Sequence, residues 1–163
     1  MSKFSLQKKF FEIAPLQVDD SASLHQIHRS CFVPAWEKHA FADFLTDCSI
    51  FGYKAFLIEN PEQIIGFCLC RLILDEAEII TIAVHPHFRR KGIGTFLIDS
   101  TLRHLHNERA IKLFLEVEEI NLSALKLYHR FQFKQISKRP AYYQTKNSSG
   151  NAIVMQKTFQ QTD

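Results

Sequence analysis

The chain has 163 residues, 46% of them apolar and 23% charged. A domain of this size buries about 70% of its unfolded surface, and the composition excludes a disordered or fibrous protein. Twenty Lys and Arg against 17 Asp and Glu leave a net charge of +3, short of the basic excess that marks a nucleic-acid binder by itself.

A single domain over 1–163 is expected, with its core from about 10 to 159. Met1 to Leu6 is basic and polar, and Lys8-Lys9 interrupts any signal-like apolar run. Ile64 to Leu74 is broken by Gly66 and Arg71 and falls short of a membrane span. Cys31, Cys48, Cys68 and Cys70 form no metal or disulfide pattern. Cys68 and Cys70 lie two apart and read as small buried hydrophobes on one face of a strand. A cytoplasmic location is expected.

Phe10 to Pro15 reads as the first strand. Leu24, Ile27, His28 and Cys31 then fall at helical spacing, with Asp20 or Ser21 as the cap and Pro34 as the stop. A second helix runs from Glu37 to Thr46, with Phe41, Phe44 and Leu45 on one face. Tyr53 to Glu59, Ile64 to Leu74 and Glu78 to Val84 read as an antiparallel meander, separated by Asn60-Pro61 and Asp75-Glu76.

From there helices and strands alternate. Gly92 to Asn107 is helical, with Ile93, Phe96, Leu97, Thr101, Leu102 and Leu105 inward. Ile111 to Val117 is a strand. Asn121 to Arg130 is a helix with Leu122, Leu125 and Tyr128 inward, and Phe133 to Lys138 and Ala152 to Phe159 are the closing strands. The order predicts an α/β (α+β) fold, a mixed and mostly antiparallel sheet with helices on both faces.

The densest chemical signal is Ile82-Ala83-Val84-His85-Pro86-His87-Phe88-Arg89-Arg90-Lys91-Gly92-Ile93-Gly94-Thr95. A strand enters a short turn and then a helix whose opening amides lack intrahelical partners, at the electropositive end of the dipole. Gly92 and Gly94 remove the Cβ atoms that would hold a phosphate away. Arg89, Arg90 and Lys91 add charge. The pattern is neither the dinucleotide fingerprint nor a Walker loop; a pyrophosphate or similar polyanion suits it, against the plainer reading of a solvated basic run before a helix.

This segment resembles the Arg/Gln-x-x-Gly-x-Gly/Ala turn of the GCN5-related N-acetyltransferases, the GNAT superfamily. Further matches are Leu74-Asp75-Glu76-Ala77, Phe114-Leu115-Glu116-Val117, Asn121-x-x-Ala124-x-x-Leu127-Tyr128, Tyr142-Tyr143 and Ala152-Ile153-Val154-Met155. Together they resemble the bacterial ribosomal-protein-alanine N-acetyltransferases (the RimI type), from Phe10 to Phe159. The resemblance implies an acetyl-CoA-dependent enzyme that acetylates a protein N-terminus, alanine on the eighteenth small-subunit ribosomal protein. A monomer is expected, with neither membrane nor direct nucleic-acid contact and with no metal.

In the resemblance, Ile82, Ala83 and Val84 offer strand-edge amides to the pantetheine arm. Arg89, Arg90, Lys91, Gly92, Ile93, Gly94 and Thr95 surround the diphosphate, and Asn121 holds the cofactor further along. Glu116 matches the general base and Tyr128 the general acid. Both roles suit the residues: a carboxylate on an apolar strand is costly without a task, and burial would bring it toward a base's working range. The competing readings are a solvent-facing strand-end carboxylate and a packed tyrosine ring.

Trp36, in Val33-Pro34-Ala35-Trp36, resembles one wall of the family's acceptor groove, and Tyr142 and Tyr143 the other. Trp36 could equally pack against the core. Glu118, on the same strand face as Glu116, is expected to favour a basic peptide. Two positions depart from the family, which usually has Arg at Glu118 and Gly at Gln132; a slightly different helix end is expected at Gln132. His85 and His87 read as a solvated turn, and His129 as a surface residue. Alternatives that stay open are a lysine or small-amine acetyltransferase and a non-catalytic acyl-CoA sensor or ribosome-associated module.

Overall fold

A computed structural model describes residues 9–140 and 150–160. In chain order it contains β1 (Phe11–Pro15), α1 (Ser21–Cys31), α2 (Lys38–Thr46), β2 (Ile50–Leu57), β3 (Asn60–Ile73) and β4 (Glu76–Val84). These are followed by α3 (Ile93–Asn107), β5 (Lys112–Glu118), α4 (Leu122–Arg130), β6 (Lys134–Arg139) and β7 (Ala152–Thr158). The strands form one sheet in the order β1-β2-β3-β4-β5-β7-β6. Only the β4–β5 pairing is parallel; the others are antiparallel.

Alternation in the sequence decides which side chains meet which layer. On β5, Leu113, Leu115 and Val117 are buried with residues of α3 and α4, and Phe114, Glu116 and Glu118 project to the other face. That second face carries α1 and α2, whose Leu24, Ile27 and Phe41 pack on Phe67, Leu69 and Ala83. Fully burying rings such as Phe41 and Phe67 contributes roughly 2–3 kcal/mol each. Cys68 and Cys70 are both buried, Sγ to Sγ 3.6 Å, as their spacing implied. All six residues of β6 are exposed, and Lys134, Lys138 and Arg139 guard it as an edge strand.

Several expectations need correction. Asp20 does hold the N-cap position of α1, but its side chain is turned elsewhere: the carboxylate accepts the Gln17 N–H at 2.7 Å and pairs with Lys54 at 2.7 Å. Phe96 is 43% exposed, edge-on to Phe11, and Ile98 takes the buried position instead. Leu122 is 67% exposed because it opens α4, before the helix reaches the sheet. Asn60-Pro61 does not separate strands; β3 begins at Asn60, with its pairing to β2 irregular there.

The end of α4 is the more informative correction. Gln132 adopts φ 65°, the left-handed conformation usually given to glycine. Its N–H donates to the His129 carbonyl at 3.0 Å, and the Phe133 N–H donates to the Tyr128 carbonyl at 3.1 Å. The Phe133 ring then packs on Tyr128, centroids 5.6 Å apart. This is an ordinary Schellman ending with a Gln at the glycine position. The helix end is therefore not reshaped; the strain is absorbed at one residue, and Tyr128 stays fixed.

Candidate active site

β4 and β5 pair only at Glu76–Lys112, Ala77–Leu113 and Glu78–Phe114. Beyond Glu78 they part. The register of β4 on β3 slips by one residue, so that Leu69 faces Thr81 and Cys70 faces Ile79. Ile80 is the extra residue, and a bulge of this kind bends its strand. β5 meanwhile continues on β7 through Glu118–Ala152. The result is a V-shaped gap in the sheet, with the edge of Ile82, Ala83 and Val84 unpaired on the β5 side.

A cleft of about 960 Å³ opens at this gap, lined by Ile82, Ala83 and Val84, by Arg89, Arg90 and Gly92 to Thr95, and by α4 from Asn121 to Arg130. Gly92 caps α3 at φ 82°, and Arg90 is also left-handed at φ 65°. Both fold the turn so that the opening amides of α3 face the cleft. Gly94 has a different reason: an added Cβ would lie 3.3 Å from Leu127 Cδ2, so its absence lets α3 and α4 approach. An unpaired strand edge, a helix N-terminus and lining cations are the donor set that a pantetheine diphosphate requires.

The individual side chains sort themselves. Arg89 lines the cleft but is engaged: Nε donates to the Val84 carbonyl at 3.2 Å, and Nη2 lies 3.3 Å from Cys31 Sγ. It ties the end of β4 to the end of α1. Lys91 is not brought into the cleft; its ammonium sits over the Phe10 ring, 5.8 Å from the centroid. Asn121 reaches the lining while its Oδ1 caps α4, accepting the Ala124 N–H at 3.1 Å. Tyr128 lines the cleft at 4% exposure. His85 Nδ1 accepts the His87 N–H at 3.2 Å and serves the turn.

Glu116 is not the deeply buried carboxylate expected. Its side chain is 26% exposed and forms an ion pair with Arg139, Oε1 to Nη1 3.0 Å. The reason is the sheet order: β7 inserts between β5 and β6, and Arg139 reaches across it. Glu118 shares its face, while Glu119 takes Lys138 at 2.6 Å and the Asn151 amide at 2.8 Å. Glu116 and Tyr128 thus stand on opposite faces of the sheet, with the gap between β4 and β5 connecting them.

Trp36 lies outside the cleft lining. It stacks on His28, centroids 4.7 Å apart, and its backbone N–H donates to His28 Nδ1 at 3.3 Å. His28 is 3% exposed, and burial, aided by the charge of His25, pushes its pKa down to about 4. The imidazole is therefore neutral and holds the segment after α1 in place. Cys31, the last residue of α1, and Phe32, the first after it, do line the cleft. Sequence reasoning missed both, as it missed Lys126 and Arg130, although their i, i+4 spacing puts them on one helix face. Tyr142 and Tyr143 lie outside the described residues.

Residues 21–133 match the sequence signature of the Acetyltransferase (GNAT) family. The chain belongs to that family. It is an acetyl-CoA-dependent acyltransferase. It is similar to the [ribosomal protein bS18]-alanine N-acetyltransferase of Haemophilus influenzae, 33% identical over 145 residues, covering 88% of this chain and 95% of that one. The fold is similar to that of the ribosomal-protein-S18-alanine N-acetyltransferase of Escherichia coli, TM-score 0.84 at 24% identity, covering 94% of this chain and 96% of that one. It is also similar to Arabidopsis thaliana NAA60 in complex with acetyl-CoA, TM-score 0.82 at 20% identity, covering 91% and 98%. No helix of this acetyltransferase, among the described residues, is long and apolar enough to cross a membrane.

Proposed function

We infer that this acetyltransferase modifies the N-terminal α-amine of a protein, and that its acceptor is the alanine terminus of a ribosomal protein like the one its relatives are named for. The reading places the reaction in the cytoplasm. The observation that carries it is the gap between β4 and β5, with a carboxylate on one face and a buried tyrosine on the other. A cofactor cleft on the α3–α4 side and an acceptor on the α1–α2 side meet there.

In this reading Ile82 to Val84 bind the pantetheine arm by their backbone. Arg90 and Gly92 to Thr95 hold the diphosphate, and Arg130, 3.4 Å from Thr95 Oγ1, supports them from α4. Bound there, acetyl-CoA supplies the thioester that carries the acetyl group. Glu116 receives the acceptor as an ammonium and takes its proton on a carboxylate oxygen, leaving the nitrogen lone pair free to attack. Tyr128 gives its hydroxyl proton to the departing sulfur and regains one from the nitrogen, which sheds its second proton as the amide forms; the proton on Glu116 passes to solvent. Trp36, held by His28, and Glu118 border the acceptor side, and Glu118 favours a basic residue beside the amine.

The test pairs the protein with acetyl-CoA and a short peptide beginning with Ala-Arg, reading free thiol and the mass of one acetyl group on the α-amine. Turnover is expected, falling about 10²–10⁴-fold in Glu116→Gln with coenzyme affinity retained. Acetylation confined to internal lysines, or full turnover in that variant, would overturn the reading.

A further inference from the structure

Arg139 is the one described side chain that forms an ion pair with Glu116, at 3.0 Å. Among the described residues, the strands around it place no second cation against Glu116. On β7, Val154 stands opposite Glu116 and Ala152 opposite Glu118, both uncharged. Lys138 is turned to Glu119, and Glu118 adds a second carboxylate on the Glu116 face. A protonated acceptor amine therefore enters a site where the carboxylate it needs already has a partner. The Arg139 side chain is 56% exposed, so its pairing with Glu116 is formed at the edge of the site and not in a sealed interior.

We propose that Arg139 is a specificity-determining residue, the resident counter-ion that an acceptor ammonium must displace from Glu116. This inference rests on the reading of Glu116 as the base. An ammonium and a guanidinium within a few Å of one carboxylate repel each other, so Arg139 weakens the hold on every cationic acceptor. The effect keeps the ground-state complex with the ammonium from becoming too tight, which would lower KM without speeding the transfer. It also offsets part of the attraction of Glu118 for basic peptides. Arg139 acts through Glu116 and needs no contact with the coenzyme.

The experiment measures steady-state constants of Arg139→Gln and Arg139→Lys with the Ala-Arg peptide, alongside Glu116→Gln. One charge removed from a solvent-exposed pair of this kind changes the hold on an ammonium roughly two- to fivefold. The acceptor KM of Arg139→Gln is therefore expected to fall by that factor at low salt and to converge on the unmodified protein's value near 1 M salt, where the Debye length is about 3 Å. Its kcat should change less than twofold, and Arg139→Lys should restore the original KM. A KM that stays put or rises, a loss confined to kcat, or no restoration by Lys overturns the role given to Arg139. Full turnover in Glu116→Gln overturns the reading of the base instead, so the two failures are told apart.

Discussion

Acidification should unfold this protein in part through a single imidazole. His28 is buried between Trp36, Phe32 and Phe41, with ring centroids 4.7, 4.4 and 5.4 Å away. Its Nδ1 accepts a backbone N–H and has no place for a second proton without losing that bond. Burial lowers its pKa from 6.5 to about 4. The neutral form is thus favoured by the fold, and the unfolded chain binds the proton first as pH drops. Stability from this group is complete above pH 6.5, declines below it and is gone below about pH 4. The interval is worth about 3 kcal/mol, a large share of what holds a domain of this size together.

Trp36 is the single tryptophan and reports directly. Urea unfolding followed by its fluorescence at pH 7.0 and pH 4.5 should be run on the natural chain and on His28→Phe, which keeps an apolar ring but cannot titrate. Carboxylates titrate in both proteins, so the difference between their pH dependences isolates the imidazole. The natural chain should lose about 2–3 kcal/mol more than His28→Phe over that interval. Equal losses would refute the assignment of a neutral, buried His28.

Gln132→Gly should stabilise the protein by about 1 kcal/mol, because glycine adopts the φ of 65° without the Cβ penalty; a urea midpoint that fails to rise counts against the strain. Lys126→Ala combined with Arg130→Ala should weaken coenzyme A binding roughly tenfold, with less loss at high salt, as read by calorimetry. Unchanged affinity would mean that these cations only border the cleft.

The sequence revealed the layers of this fold more readily than its edges. The apolar runs Glu78 to Val84 and Ile111 to Val117 are visible because both strands lie inside the sheet and are packed by the helical layers. Gly92 marks the helix start because few other residues suit its φ of 82°, and Gly94 is there because α4 packs close to it. The insertion of β7 between β5 and β6 has no local signature, so the meeting of Arg139 with Glu116 was hidden, and a carboxylate expected in an apolar site proved to be ion-paired at partial exposure. Lys91 shows the same limit. Its place in a basic run suggested a phosphate, whereas Phe10, eighty-one positions earlier, supplies an aromatic face. Gln132 shows the converse: helix-end geometry was imposed by the chain around it, despite an unfavourable residue.

Backbone amide shifts during a titration with coenzyme A address the cofactor cleft without relying on catalysis. The largest changes should fall on Ile82 to Val84 and on Gly92 to Thr95, where the strand edge and the helix start face the gap between β4 and β5. Changes gathered instead around the smaller depression lined by Ser23, Gln26, Asn60 and Gln63, with the amides of Gly92 to Thr95 unmoved, would contradict it.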